Sequence, residues 1–362
     1  MNAREVAQNI AKGLLDVLPD AEIEIVPMAD GGEGTAEAIC EARGCSWLEC
    51  KAHDPLGREI DARYGWIDKQ KLAVMEMSEA AGMRRLSRRE RDPVRATTFG
   101  VGEMILDATK RGADAIIVGL GGSATNDGGF GMARALGFRF EFEYEHDHEH
   151  EQIRVTDLLN LKKIEKPRRL ELPKIMAAVD VKNPLLGKNG ATQVFGLQKG
   201  ASKSDLENLE SALMRLADIV ATEFGFDYRN QAGAGAAGGL GFGLLSFCGA
   251  TIRPGFDVVA EAVGLEQKMK DADLVITGEG SLDRQTLEGK TPAGVARLAR
   301  KLGKPVFAIV GRASEDRELR EVFEGIYQNA RPGMSLQENM KLGPELLREN
   351  ARELAETFGI GL

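Results

Sequence analysis

A chain of 362 residues with 43% hydrophobic and 28% charged side chains has the ordinary mixture of a folded globular protein and room for two domains. The formal charge of −9, with Lys and Arg scattered along the chain, excludes a basic footprint for nucleic acid, and four cysteines in this length exclude a disulfide framework. The 43 glycines, set against 14 Phe, 4 Tyr and 2 Trp, fall largely in short clusters behind apolar runs and read as loop chemistry.

Residues 3–18 repeat apolar side chains at helical spacing until Pro19-Asp20 stops them. AEIEIVPM (21–28) alternates as a strand, Asp30-Gly31-Gly32-Glu33-Gly34 breaks it, and TAEAICEAR reads as a helix, the grammar of a parallel α/β sheet. From about Cys45 the segments REIDARYGWID and KLAVMEMSEAAG look like strands of an antiparallel or mixed sheet. A helix near 95–110 leads into the buried strand ADAIIVGL, which runs into GGSATNDGG and the helix FGMARALG. FRFEFEYEHDHEHEQIRV reads as two alternating runs around a polar turn, a hairpin. LPKIMAAVDV is a further buried strand, and helices are expected over 204–223 and 239–248. The last hundred residues alternate cleanly: ADLVITGEGS, TPAGVARLARKLG, KPVFAIVGR, a helix, GIYQNAR and a long final helix. The expected fold is therefore two α/β domains. Residues 1–44 and 255–362 form a doubly wound, parallel-sheet domain, and 45–254 are inserted as a mixed α/β domain.

The bulk features also place the chain. Cys40, Cys45 and Cys50 are spaced C-x4-C-x4-C, which fits no common zinc pattern, so these and Cys248 are expected as reduced, mostly buried thiols of a cytoplasmic protein. No basic-then-apolar signal opens the chain. Ala232–Ile252 is uncharged, but its seven glycines and the Arg253-Pro254 that follows mark a buried helix and no membrane span.

Four clusters lie where predicted strands end: Asp30–Gly34, Gly119–Gly129, Asp180–Asn183 (with Lys182), and Gly278-Glu279-Gly280-Ser281-Leu282-Asp283. In open α/β sheets ligands gather beyond the C-terminal strand ends, and glycines admit backbone N–H groups to a phosphate. Interspersed carboxylates suit Mg²⁺ or the removal of a hydroxyl proton. Taken singly, Asp30 and Asp127 read equally as helix caps. Gly119-Leu-Gly121-Gly122-Ser123-Ala124 also satisfies G-x-G-x-x-A, so an NAD-dependent dehydrogenase is the rival, although Asn126-Asp127-Gly128-Gly129 puts a carboxylate where a pyrophosphate would lie. The same run is like the phosphate loop of galactokinase-type kinases, without the rest of their pattern. Gly233-Ala-Gly235-Ala-Ala-Gly238 has no strand before it and reads as tight helix packing. Gly289-Lys290-Thr291 lacks the glycine of a Walker A loop, Arg284 standing in its place. His146, His148 and His150 read as a solvated hairpin tip, and the four histidines assemble no Ser–His–Asp set.

Taken together and in order, PMADGGEGTAEA, RDPVRATTFGVGE, GLGGSATNDGGFGMARALG, AVDVKNPLLGKNGAT with FGLQKGAS, GAGAAGGLGFG and DLVITGEGSLDRQTLEGKTPAGVA resemble the bacterial glycerate kinase family. That resemblance implies ATP and Mg²⁺ as cosubstrates and D-glycerate as the acceptor. It further implies 2-phosphoglycerate as product, a cleft between a flavodoxin-like domain and the insert, and a monomer or homodimer. On this reading Asp180 or Asp283 is the base or Mg²⁺ ligand, supported by Glu279. Asp30, Gly31, Gly32 and Gly34 face the cleft, and Gly121, Gly122, Ser123, Thr125, Asn126 and Asp127 meet glycerate or phosphate oxygens. Asn183 and Gly278 belong to the same lining, and Lys182, Arg284 and Lys290 neutralise anionic groups. Family members usually open with a strand and an Ala-Pro-Asp-Ser-aromatic-Lys loop before the helix that here starts at Ala3. That strand is expected to be missing, which leaves a non-catalytic binding module as a further alternative.

Overall fold

The computed structural model describes residues 1, 3–143, 154–284, 286 and 290–359. It is an α/β structure that divides into two compact units, Met1–Met28 with Ala260–Leu362, and Ala29–Val259. Along the chain run α1 (Ala3–Leu15), α2 (Thr35–Arg43), β1 (Ser46–His53), β2 (Glu59–Ile67), β3 (Leu72–Glu76), α3 (Ser78–Ala81), α4 (Phe99–Lys110) and β4 (Ala115–Gly119). They are followed by α5 (Phe130–Ala135), β5 (Arg139–Phe142), β6 (Leu161–Glu165), β7 (Lys174–Val179), α6 (Ala191–Phe195), α7 (Lys203–Phe224), α8 (Ala236–Cys248), β8 (Thr251–Pro254) and α9 (Gly255–Val263). The chain then forms α10 (Leu265–Asp271), β9 (Val275–Thr277), β10 (Ser281–Leu282), α11 (Thr291–Lys301), β11 (Val306–Val310), β12 (Arg312–Ala313), α12 (Arg317–Arg320), β13 (Gly325–Gln328), α13 (Leu336–Lys341) and α14 (Gly343–Gly359).

The larger unit is built on a six-stranded sheet in the order β1-β2-β3-β4-β7-β8. β1, β2 and β3 pair antiparallel, whereas β3, β4, β7 and β8 pair parallel. The division follows the sequence. LAVME and AIIVG are nearly continuous apolar runs that bury both faces, as helix-covered parallel strands require. β2 alternates buried and exposed positions over its first residues and leaves one face to water. Registers Glu76↔Gly119↔Ala178 bring three parallel strands to an end at one level, with Val179 opposite Pro254 beside them. α4 packs Val101, Met104, Ile105 and Ala108 into this core, and α7 adds Leu209, Leu213, Leu216 and Val220.

α7 starts where Ser202 and Asp205 form a reciprocal capping box and stops at left-handed Gly225. α8 is buried over almost its whole length, which accounts for the uncharged run. Among the described residues no helix is long and apolar enough to cross a membrane. All four cysteines are free thiols.

The smaller unit has the parallel sheet β13-β11-β9 and the short pair β10-β12. α1 lies against α14, with Ile10 and Leu14 meeting Leu347, Ala351, Leu354 and Ala355. Arg348 ties the two helices further by donating to Asn9 Oδ1 at 2.9 Å.

Three expectations change. Residues 21–28 belong to no sheet, although they alternate; alternation marks a two-faced segment but does not supply a strand to pair with. The hairpin partner of β5 is β6 at 161–165, because Val155, Leu158 and Leu161 are buried at three-residue spacing and begin with a 3-10 turn. The His146–His150 tip lies outside the described residues. The expected helix at 95–110 begins only at Phe99, since Asp92 and Thr97 engage the backbone just before it. In addition, residues 29–44 pack with the larger unit, where α2 lies on β2 and β3.

Gly13 of α1 faces α14 so closely that an added Cβ would strike the Arg348 carbonyl and stand 2.8 Å from Ala351 Cβ. Alanine ordinarily strengthens a helix interior by about 1 kcal/mol over glycine. Gly13→Ala is expected to reverse that sign and destabilise the chain by roughly 1–3 kcal/mol through overpacking. A urea midpoint at or above the native value would show that α1 is not docked in this way.

Candidate functional site

The Asp30–Gly34 loop is the centrepiece of the larger unit's strand-end edge, although no strand precedes it. Its place comes from close backbone approach. A Cβ on Gly31 would stand 2.6 Å from the Ala178 carbonyl, and one on Gly119 would stand 2.8 Å from the Gly31 carbonyl. Side chains at Gly121 and Gly255 would run into Gly32 and Asp30. Gly31 also adopts φ 100°, a conformation that favours glycine. The loop therefore lies directly on the ends of β4, β7 and β8, and Gly121 N–H donates to the Gly31 carbonyl at 3.2 Å. Asp30 is no cap of α2; its Oδ1 accepts from Gly32 N–H at 3.3 Å within the loop.

The cap comes from elsewhere. Glu76, buried at the end of β3, accepts from Gly34 N–H at 2.9 Å and Ala36 N–H at 3.0 Å through one oxygen. A carboxylate at a helix N-terminus satisfies orphan donors and meets the positive end of the helix dipole. Burial nevertheless dominates and pushes its carboxyl up to about 7, against the stabilising hydrogen bond from Ala36. Glu76 was absent from the sequence candidates, though the one acidic residue closing the apolar run LAVME was a readable signal.

The second loop follows β4. Gly121 is half-buried and Gly122 exposed, while Ser123, Thr125, Asn126 and Asp127 are buried. Met83 N–H donates to the Gly122 carbonyl at 2.8 Å and Ala124 N–H to Ala81 at 2.9 Å, stitching this loop to the segment after α3. Arg84 projects from that segment, pairing with Glu79 at 2.5 Å and with the exposed Glu33 at 3.6 Å. Asp127 accepts from Thr98 N–H, Thr98 Oγ1, Gly129 N–H and Gly131 N–H at 2.8–3.1 Å, so it fastens α4 to the start of α5. Its carboxyl is raised by burial against all four of these donors. Asn126 donates to Thr192 Oγ1 at 2.9 Å, and Lys199 donates from below to the Thr125 carbonyl at 2.8 Å. Gly121 and Gly122 are thus the accessible part of this loop, and the buried residues form the frame beneath.

Asp180 and Lys182 are exposed just past β7, and Asn183 donates to the Asn189 carbonyl at 2.7 Å. The 233–239 segment has no ligand-loop geometry. Side chains at Gly235 and Gly238 would collide with the Pro184 and Thr125 carbonyls, and residues 237–239 turn left-handed before the main helix of α8.

The smaller unit presents its own strand-end loop. Gly278 follows β9, and a Cβ there would strike the Ile309 carbonyl of β11. Gly311 N–H donates to Glu279 and Arg312 N–H to Gly280, at 3.0 and 3.2 Å. Glu279 accepts from the buried Thr286 hydroxyl, and Thr286 in turn accepts from Asp283 N–H at 3.2 Å. Arg284 is exposed, and half-buried Lys290 stands immediately before α11. The sequence candidates therefore gather in two sets, one at the end of each unit's parallel strands.

The model of the glycerate kinase family matches residues 1–359. The chain belongs to the glycerate kinase family. The glycerate kinase of Halalkalibacterium halodurans is 41% identical over 98% of this chain and 94% of its own length. The glycerate 2-kinase of Escherichia coli K12 is 41% identical over 87% of this chain and 83% of its own. A crystal structure assigned as glycerate kinase 2 of Salmonella typhimurium LT2 has a TM-score of 0.84 at 40% identity, covering all of this chain and 95% of that one. The protein is accordingly an enzyme, a phosphotransferase of the glycerate kinase type.

Within this kinase Glu76 carries a pH signature. Its folded-state carboxyl sits near 7 against 4.5 when unperturbed, so between these values the folded chain holds a proton that the unfolded chain has released. This group therefore makes stability fall as pH rises through that window, with no further change above it. Glu76→Gln keeps a carbonyl acceptor for Gly34 and Ala36 and removes the titration. Urea midpoints measured at about pH 5 and about pH 8 are expected to differ less in the variant than in the native enzyme. An equal fall in both would exclude Glu76 as its source.

Proposed function

We propose that this enzyme transfers the γ-phosphoryl group of ATP to D-glycerate and forms 2-phosphoglycerate. The observation that carries this reading is the strand-end edge of the larger unit. There the approaches at Gly31, Gly121 and Gly255 put backbone, with few side chains, where small anionic groups are held. An enzyme with a net charge of −9 has to bind anions locally, and such an edge is one way to do so.

The acceptor alcohol must lose a proton as it attacks, and the transferring group must be shielded. Asp180, exposed past β7, and Asp283, anchored beside Thr286, are the carboxylates we assign to proton removal or metal binding, with Glu279 behind Thr286. Lys182, Arg284 and Lys290 supply positive charge for the glycerate carboxylate or nucleotide phosphates, and the exposed Gly122 supplies backbone.

Among the described residues no three His, Cys, Asp or Glu side chains gather as a ready-made metal cage. That fits Mg²⁺, which keeps several waters and is usually held by one or two carboxylates together with nucleotide phosphates. Asp180 or Asp283 would supply such a carboxylate, and the ion would neutralise charge on the phosphates when bound.

The dinucleotide reading of residues 119–124 is disfavoured. Gly121 is already filled by Gly32, Ala124 is bonded to Ala81, and no helix begins before Phe130, so a pyrophosphate has neither room nor a helix N-terminus there.

ADP release on adding D-glycerate and ATP, with the phosphorylated carbon located by phosphorus NMR, tests the reaction. Asp180→Asn and Asp283→Asn are each expected to lower turnover by about 100-fold or more, the scale of lost acid–base or metal assistance. Melting temperatures should shift by no more than about 4 °C. Turnover within a few-fold of native removes that carboxylate from the chemistry.

A further inference from the structure

Beneath the Gly121–Gly129 loop lies a lysine that the reaction above does not use. Lys199 is 3% exposed and comes from a short 3-10 turn, Leu197–Lys199, ended by Gly200 at φ 102°. Gly200 lies so close to the Arg91 carbonyl that a side chain there would collide with it, and this contact fixes where the turn ends. From this position Nζ reaches the Thr125 carbonyl at 2.8 Å. The buried Asp127, two residues on, is the opposing charge that raises the lysine's basicity.

We propose that Lys199 is a positioning residue for phosphate transfer, holding the Gly121–Gly129 loop in its reactive shape from below through the Thr125 carbonyl. The inference rests on the reading of that loop as part of the transfer site.

A packing role alone does not account for a lysine here. Removing an ammonium group from water carries a large penalty, and an apolar chain of similar length would fill the same space without it. Burial pushes the Lys199 ammonium down to about 7, with Asp127 opposing the fall. What the lysine supplies and methionine cannot is a donor to one peptide carbonyl of the loop.

The peptide it grips is central to that loop. Gly238 of α8 presses on the Thr125 carbonyl from another side, and Gly128 N–H donates to the Gly238 carbonyl at 3.0 Å. Two residues before Thr125, Ser123 bridges to Gly82, and next to it Gly122 accepts from Met83. Among the described residues Thr125 Oγ1 and Asn126 Oδ1 are buried without a hydrogen-bond partner, so at the Thr125 peptide side-chain anchoring falls to Lys199 Nζ, while Asn126 Nδ2 and Asp127 hold the residues just after it. Loosening the lysine's grip therefore frees the segment that carries Gly121 and Gly122. A displacement of about 1 Å in such a segment is enough to cost on the order of 100-fold in rate.

The test uses Lys199→Met and Lys199→Gln in the full chain, with two readouts. Turnover by Lys199→Met is expected to fall at least about tenfold while KM for D-glycerate changes less than about threefold, as for an interaction realised in the transition state. Lys199→Gln retains a neutral donor and should recover part of the loss. Independently of activity, amide exchange over residues 121–131 should accelerate at least about tenfold in Lys199→Met, with β4 and the centre of α7 unchanged. Unchanged exchange in that segment overturns the proposal, and so does near-native turnover by a folded Lys199→Met. If Lys199→Met does not fold, Lys199→Gln, whose shorter side chain reaches the Thr125 carbonyl less well, is expected to exchange faster than the native chain over residues 121–131, and native exchange there would overturn the proposal. A native enzyme inert toward D-glycerate would overturn the assigned reaction, and the exchange result would still decide whether Lys199 positions the loop.

Discussion

The larger unit depends on backbone lying against backbone. The Asp30–Gly34 loop rests on the ends of β4, β7 and β8 because Gly31, Gly119, Gly121 and Gly255 have no side chains to hold it off. Interiors are packed closely enough that one added methyl at such a contact forces the main chain to move. The strand registers, which end β3, β4 and β7 at one level, are what give the loop a common edge to rest on. The site, the sheet and the glycine content are thus one constraint expressed three ways.

Buried charge supports that edge from beneath. Glu76 caps α2 from the end of β3, Asp127 collects four donors from two helices and their approaches, and Lys199 holds the carbonyl between them in the second loop. Each has its ionisation shifted toward the neutral form by burial. Buried ionic groups of this kind are weak contributors to net stability. Their value here lies in fixing the shape of loops whose own side chains are small.

Much of this was legible in the sequence. Apolar runs such as AIIVG and KIMAAV located the parallel strands, and the order of the glycine clusters pointed to the family. What the sequence could not supply was partnership between distant segments. Residues 21–28 alternate yet join no sheet, and β5 finds its partner beyond a 3-10 turn. Asp127 reads as a ligand or a cap; it does bond the start of α5 through Gly129 and Gly131 N–H, but it also takes two donors from Thr98, which no local pattern announces. Glu76 was readable as a lone acid closing an apolar strand, whereas Lys199 sits in a polar-looking GLQKGA run whose burial depends wholly on tertiary packing.

On the proposed function, close approach of the two glycine loops builds the transfer site. Gly121 has no left-handed backbone to excuse it, so alanine is excluded there only by the nearness of Gly32. The most direct measurement is turnover of D-glycerate and ATP by Gly121→Ala, with folding followed in the same sample. A loss of at least about 100-fold in kcat/KM is expected in a chain that still shows the native secondary structure. Near-native kcat/KM in that variant would contradict it.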